Sequence, residues 1–216
     1  MSSGVSRRPG RPPAAKADET RQRIMQAARL VFSERGYDGA TFQAIAARAD
    51  LTRPAINHYF SSKRALYREV LDQTNEAVIG VGIKEADRET TLAGQLTAFI
   101  TSAVRANNEN PAGSALIITG VLESQRHPEW NTTENDSVRI ARDFLTRVTK
   151  DAIERGEIAP DVDATALTEA LLVLMCGVGL YAGYVQSPEA LLAITGVLRR
   201  LVEGALQSPE SQPDVQ

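Results

Sequence analysis

Apolar positions along this chain recur at intervals of three and four, and no run alternates with a period of two long enough to make a strand. That spacing places apolar side chains on one face of successive helices. Ile24, Ala28, Val31 and Phe32 fall at i, i+4, i+7 and i+8, and Gly36 in ERGYDGAT is a good residue to end that helix. Thr41 precedes FQAIAARA, a short helix with Ile45 and Ala49 facing inward. A second short helix follows, anchored by Ala55, Ile56 and Tyr59 or Phe60. SSK at 61–63 opens a longer helix whose stripe is Leu66, Val70 and Ala77. Further helices are expected at 90–108, 112–126, 134–156, 163–185 and 189–206. The breaks between them, NNENP, RHPEWNT, GEIAPDVD and QSPE, each carry a proline, which cannot donate a backbone hydrogen bond. The expected fold class is all-α.

Two short helices joined by a tight connection at Asp50 and Leu51, with longer helices to hold them, follow the grammar of a helix-turn-helix. The stretch LTRPAINHYFSSK tests that expectation. Pro54 fixes φ near its helical value and lacks an N–H, so it suits the first turn of a helix, with Thr52 or Arg53 as the cap. Thr52, Arg53, Asn57, His58 and Tyr59 then project from a short helix. Arginine pairs with guanine edges and asparagine with adenine, while Thr, His and Tyr suit phosphate oxygens. Thr41 and Lys63, at the starts of the neighbouring helices, are expected to reach flanking phosphates. The segment thus reads as an element that enters the major groove of duplex DNA.

Charge supports this. Residues 1–70 hold 13 Lys and Arg against 6 Asp and Glu, whereas residues 71–216 hold 11 against 21. A basic third joined to an acidic remainder suggests a polyanion-binding head on a different kind of body. Residues 1–17 are rich in Pro, Gly, Ser and Arg and read as a flexible arm. Its RRPGRP offers Arg11 to a narrow minor groove. Domain boundaries are drawn at 1–17 for the arm, 18–64 for the helix-turn-helix domain, 65–207 for a ligand-binding and dimerisation domain, and 208–216 for a disordered tail.

Thr41 to Leu71, TFQAIAARADLTRPAINHYFSSKRALYREVL, resembles the signature of the tetracycline-repressor (TetR) family of bacterial transcription regulators. The likeness is carried by Thr41, Ile45, Ala46, Ala49, Leu51, Thr52, Ile56, Tyr59, Phe60, Lys63 and Leu66. ERGEIAPDVDATALTEALL at 154–172 resembles a common C-terminal element of the same family. One departure is Asn57, where the family usually has a phosphate-binding tyrosine. The resemblance implies a ligand-responsive regulator, a repressor, that binds a pseudo-palindromic operator as a homodimer. It also implies a C-terminal domain that takes a small-molecule inducer and dimerises through its last two helices.

The body fits both roles. Its central helices present apolar faces that supply candidate pocket residues: Leu96, Phe99, Ala103, Ile117, Val121, Phe144, Val148, Leu174, Met175 and Val178, with Arg105, Asn107 and Trp130 at the mouth. A pocket lined this way would take a largely apolar ligand. The expected dimer seam comprises Gly179 and Gly183 on one helix and Leu191, Ile194, Leu198, Leu201 and Val202 on the next. Cys176, the single cysteine, sits in LLVLMCGVGL and is expected to be a buried, inert thiol. The apolar run Leu171 to Val185 is shorter than the ~20 residues of a bilayer span. With no apolar leader, a cytoplasmic, membrane-free protein is expected. Two histidines, no glycine-rich phosphate loop and no metal-ligand spacing leave nothing from which to build a catalytic or metal site. Neither an enzyme nor a cofactor is expected; a DNA-binding architectural protein without an inducer is the alternative.

Overall fold

The computed structural model describes residues 13–127, 136–185 and 187–206, and among these every regular element is a helix. In chain order they are α1 (Pro13–Gly39), α2 (Phe42–Arg48), α3 (Arg53–Tyr59), α4 (Lys63–Asn75), a π-helical turn (Glu76–Gly80) and α5 (Val81–Ala86). Then come α6 (Leu92–Glu109), α7 (Pro111–Arg126), α8 (Ser137–Glu154), α9 (Ala164–Val185) and α10 (Pro188–Leu206). The chain divides into two compact units, Met1–Tyr67 and Arg68–Gln216.

In the first unit α1 begins at Pro13, inside the segment expected to be a flexible arm. Pro13 suits a first helical position, and the following Ala-Ala-Lys-Ala are strong helix formers. The helix breaks at Gly36, whose φ of 67° and ψ of −179° is a combination open essentially only to glycine. Ile24, Met25, Ala28, Val31 and Phe32 from α1, Ile45 and Ala46 from α2, and Ile56 from α3 are all buried, as are Phe60, Leu66 and Tyr67. Each large apolar side chain removed from water contributes about 1.5–3 kcal/mol. Tyr67 sets its ring edge-on to Phe32 at 4.9 Å and to Tyr37 at 5.1 Å between centroids.

In the second unit Phe99 stacks on Phe144 at 5.3 Å, within a core that includes Leu96, Leu145, Val148, Ile158, Leu171 and Leu172. Gly82 of α5 lies so close to Phe99 that a Cβ there would sit 3.0 Å from the ring, so any other residue would require the ring to shift. A second cluster joins Ile100, Val104, Ala182 and Leu191, with Val178 packed against it.

Two expectations need correcting. Ala77 was placed on the buried stripe with Leu66 and Val70, which are buried, but Ala77 is exposed. The π-helical turn inserts extra residues into the helical repeat and rotates the residues beyond it out of register. Cys176 is exposed rather than buried. The α9 helix, Ala164–Val185, falls where the spacing placed it; counted with Glu169, its segment Ala164–Ala182 is 19 residues with mean hydropathy 1.7, long and apolar enough to cross a bilayer by length and composition. One side of α9 is nevertheless packed inside the unit through Leu171, Leu172 and Ala182, while Val173, Leu180 and Tyr181 are exposed.

Candidate nucleic-acid interface and ligand cavity

The surface of α3 follows from how the helix is held. Thr52 is the N-cap, and its side-chain oxygen accepts from the Ala55 N–H at 3.4 Å. Arg53 and Pro54 occupy the first turn. Ile56 is fully buried and Phe60 nearly so, and the Arg21 guanidinium lies 4.8 Å from the centre of the Phe60 ring. With that face fixed inward, helical spacing turns Arg53, Pro54, Asn57 and His58 outward, and all four are exposed. Tyr59 is half-buried and meets His58 edge-on, with ring centroids 5.4 Å apart.

The turn before α3 is equally constrained. Asp50 takes a φ of 52°, a left-handed conformation that Asp tolerates better than most residues. The Leu51 N–H donates back to Ala46 O at 2.9 Å, and Arg23 Nη2 donates to Ala49 O at 2.6 Å, satisfying a carbonyl at the C-terminal end of α2. Thr41 caps the other end of α2, accepting from Ala44 N–H at 3.1 Å, and is exposed. Sequence reasoning missed Gln43, Ala47 and Arg48, which share the exposed face of α2 with Thr41.

Lys63 has a structural role that its position in the sequence did not show. Its ammonium donates to Tyr37 O at 2.7 Å and Ala40 O at 3.0 Å, and lies 4.3 Å from the centre of the Tyr37 ring. It closes the C-terminal end of α1, where orphan carbonyls and the helix dipole favour a cation. It therefore serves the unit's own fold. Burial raises the Tyr37 hydroxyl above its ordinary pKa, with Arg64 lowering and Asp38 raising it further. Arg11 lies outside the described residues.

The second unit contains a cavity of about 120 Å³ bounded by the π-helical turn, α6, α7, α8 and α9. Of the ten pocket residues expected from sequence, Phe99, Ala103, Ile117, Val121, Met175 and Val178 line it. The other four do not. Leu96 and Leu174 line a much smaller void shared with α10, and Phe144 and Val148 are packed into the core behind Phe99. Stripe position alone cannot say which inward residues meet a void and which meet one another. Val78, Ile79, Ser114, Ile118, Ser137 and Cys176 also line the cavity. Val78 and Ile79 were not legible because the π-helical turn that aims them has no sequence signature. Asn107 lies on the wall; Arg105 lines a separate polar groove instead, and Trp130 is outside the described residues. Partial burial pushes the Cys176 thiol above the ordinary cysteine range, with Arg142 pulling it down.

The residues expected at a dimer seam divide by orientation. Leu191 is 2% exposed and packs into the intrachain cluster with Ile100, Val104 and Ala182, so it faces inward. Gly179 lines the cavity against Ile118. Leu198 is half-buried beside Leu171 and Leu174, and Ile194 is half-buried. Among the described members of this set only Leu201 is exposed, at 61%. The side-chain surroundings of Gly183 and Val202 lie outside the described residues. The outward apolar side chains are instead Val173, Leu180 and Tyr181 on α9, and Leu192, Val197 and Leu201 on α10. Within the stripe read from sequence, Leu191 packs inside the subunit and Leu201 faces outward, since an apolar helix gives no sign of which of its two apolar sides is the core.

Comparison with known proteins matches both units. The family model described as bacterial regulatory proteins, tetR family, matches residues 24–70, and that described as tetracyclin repressor-like, C-terminal domain, matches residues 87–183. The chain is 28% identical over 169 residues to the HTH-type transcriptional regulator UidR of Escherichia coli (strain K12), covering 76% of this chain and 81% of that protein. It is 30% identical over 166 residues to the A-factor receptor protein of Streptomyces griseus, covering 77% of this chain and 56% of the receptor. The solved structure of Salmonella enterica GusR is similar with a TM-score of 0.68 and 26% identity, over 88% of this chain and 96% of that one.

Proposed function

As the chain is a TetR-family transcriptional regulator, a DNA-binding protein and not an enzyme, we propose that it is a cytoplasmic repressor released from its operator by a largely apolar small molecule. In this account a homodimer presents two copies of α3 to a pseudo-palindromic site. Arg53 and Asn57 read base edges, while Thr41, Thr52, His58 and Tyr59 hold phosphates and Pro54 stiffens the first turn. The observation that carries it is the outward array of Arg53, Pro54, Asn57 and His58 on a helix locked from behind by Ile56 and Phe60.

Three features support the remaining parts. Family members typically form dimers, and the apolar side chains exposed on α9 and α10 form a face that a second copy would cover. The same cover accounts for a 22-residue apolar helix without a bilayer. The apolar cavity favours a ligand-responsive regulator over an architectural DNA-binding protein with a solid body. Its occupant would touch Val78 and Ile79, which follow α4 in the chain, and α4 begins at Lys63 in the DNA-reading unit. Movement of α4 would change the spacing of the two α3 helices and spoil both half-site contacts at once.

Selection of duplexes from a random library by the full-length protein tests this. Enrichment of two half-sites related by two-fold symmetry is expected, with Arg53→Ala relaxing the preference at one position per half-site. Recovery of duplexes with no shared sequence would refute the regulator reading.

A further inference from the structure

The chemistry of the cavity wall narrows what can enter it. Every described residue that lines it is uncharged, and nearly all of the lining is aliphatic, aromatic or sulfur-bearing. The polar exceptions are Asn107, Ser114 and Ser137. Ser137 already donates its hydroxyl to Asn75 Oδ1 at 2.7 Å. Asn107 and Ser114 are different. They flank the α6–α7 connection at Asn110, one in the last turn of α6 and the other in the first turn of α7, so both stand at the same end of the cavity. Neither side chain has a hydrogen-bond partner among the described residues.

We propose that the cavity takes an uncharged molecule the size of a single ring, whose one hydrogen-bonding group is held by Asn107 and Ser114. This rests on the cavity being a ligand site, as inferred above. Size follows from the volume and the shape: an enclosed apolar cavity of about 150 Å³ takes up benzene, and this one, about 120 Å³ and open on one side, holds one ring with its substituent reaching the open end. Neutrality follows from the wall. A carboxylate or ammonium entering it would leave water and meet no opposite charge, and an unpaired buried charge is far costlier than a buried neutral polar group. The single polar end follows from the donor and acceptor inventory: the Asn107 amide offers both functions, and the Ser114 hydroxyl adds another of each. A primary amide, a lactam, a lactone or a phenol satisfies such a pair; a zwitterion, a phosphate or a thioester of a charged carrier does not.

Three one-ring probes separate these statements: benzamide, benzoate and toluene. Met175 lines the cavity, and Met25 is fully buried in the other unit, so their two methyl signals give a reporter and an internal control in the full-length protein. Titration at neutral pH, followed by methyl NMR, should show Met175 shifting with benzamide and toluene while Met25 stays still. Benzoate, isosteric with benzamide but charged, should bind at least about a hundredfold more weakly. In Asn107→Leu, benzamide should weaken by about tenfold while toluene stays within about threefold, since only the amide loses a hydrogen bond. Benzoate binding as well as benzamide would overturn neutrality. Benzamide affinity unchanged in Asn107→Leu would overturn the polar end. If none of the three moved Met175 at millimolar concentration, the ligand site itself would fall, and the class with it.

Discussion

Ser137 and Asn75 are joined by a 2.7 Å hydrogen bond in which the serine hydroxyl donates to the amide oxygen, and both side chains are buried. Asn75 is the last residue of α4, and Ser137 is the first of α8 and lines the cavity. The bond ties the wall of the cavity to the end of the helix that leads back to the DNA-reading unit. Between Asn75 and α5 lies the π-helical turn, whose Val78 and Ile79 line the same cavity. Such turns are frequent at functional sites. Ser137→Ala should cost about 1–3 kcal/mol of stability, as expected when one member of a buried pair is removed. It should also lower the dependence of operator affinity on ligand, while Ser137→Thr retains it. Fluorescence anisotropy of an operator duplex, with and without ligand, measures that ratio.

Lys63 gives a prediction opposite to its position in the sequence. Because its ammonium satisfies Tyr37 O and Ala40 O, Lys63→Met should destabilise the first unit by about 1–2 kcal/mol. The slope of log K for DNA against log salt should not change, since no phosphate contact is lost. Thermal denaturation and a salt titration check the two halves. A slope shallower by about one would return Lys63 to the phosphates.

Base readout by Arg53 predicts a loss of about 1–3 kcal/mol in operator affinity for Arg53→Ala, with relaxed preference at the contacted position. Asn57→Tyr, which installs the residue usual in the family, should raise affinity for all duplexes alike while reducing discrimination. Competition gel shifts with operator and scrambled duplexes separate affinity from preference.

Assembly is predicted to fail where the apolar side chains point outward. Val173→Glu or Leu201→Glu would bury an unpaired charge at the dimer face and should give a folded monomer. Leu191→Ala should do something else. Its side chain packs within the subunit, so the loss should be about 2–5 kcal/mol of stability in each chain. Light scattering with thermal denaturation distinguishes the two; dimers persisting in both charge variants would move the interface elsewhere.

The sequence was most legible where one residue type has one structural use. Pro54 marked the start of α3, Gly36 the break in α1, and the buried stripe of α1 followed from spacing alone. Legibility failed where the outcome depends on a third element. Lys63 looks like any basic residue at a helix start until the carbonyls at the end of α1 are placed beside it. Leu191 and Leu201 differ only by which apolar side of α10 meets α6. Phe99 and Phe144 are equivalent inward aromatics, yet only Phe99 meets the void. The π-helical turn has no composition of its own, and with it went Ala77, Val78 and Ile79.

In the proposed mechanism, filling the cavity and holding DNA oppose one another through the same chain. Reciprocity makes this measurable from the ligand side: whatever factor a ligand takes from operator affinity, operator must take from ligand affinity. The deciding experiment is a benzamide titration of the Met175 methyl signal, performed on the free dimer and again on the dimer saturated with its selected duplex. Benzamide is predicted to bind at least about fivefold more weakly to the DNA-bound protein, with Ser137→Ala narrowing the gap. Equal affinities in the two titrations would contradict the mechanism and leave the cavity uncoupled from DNA.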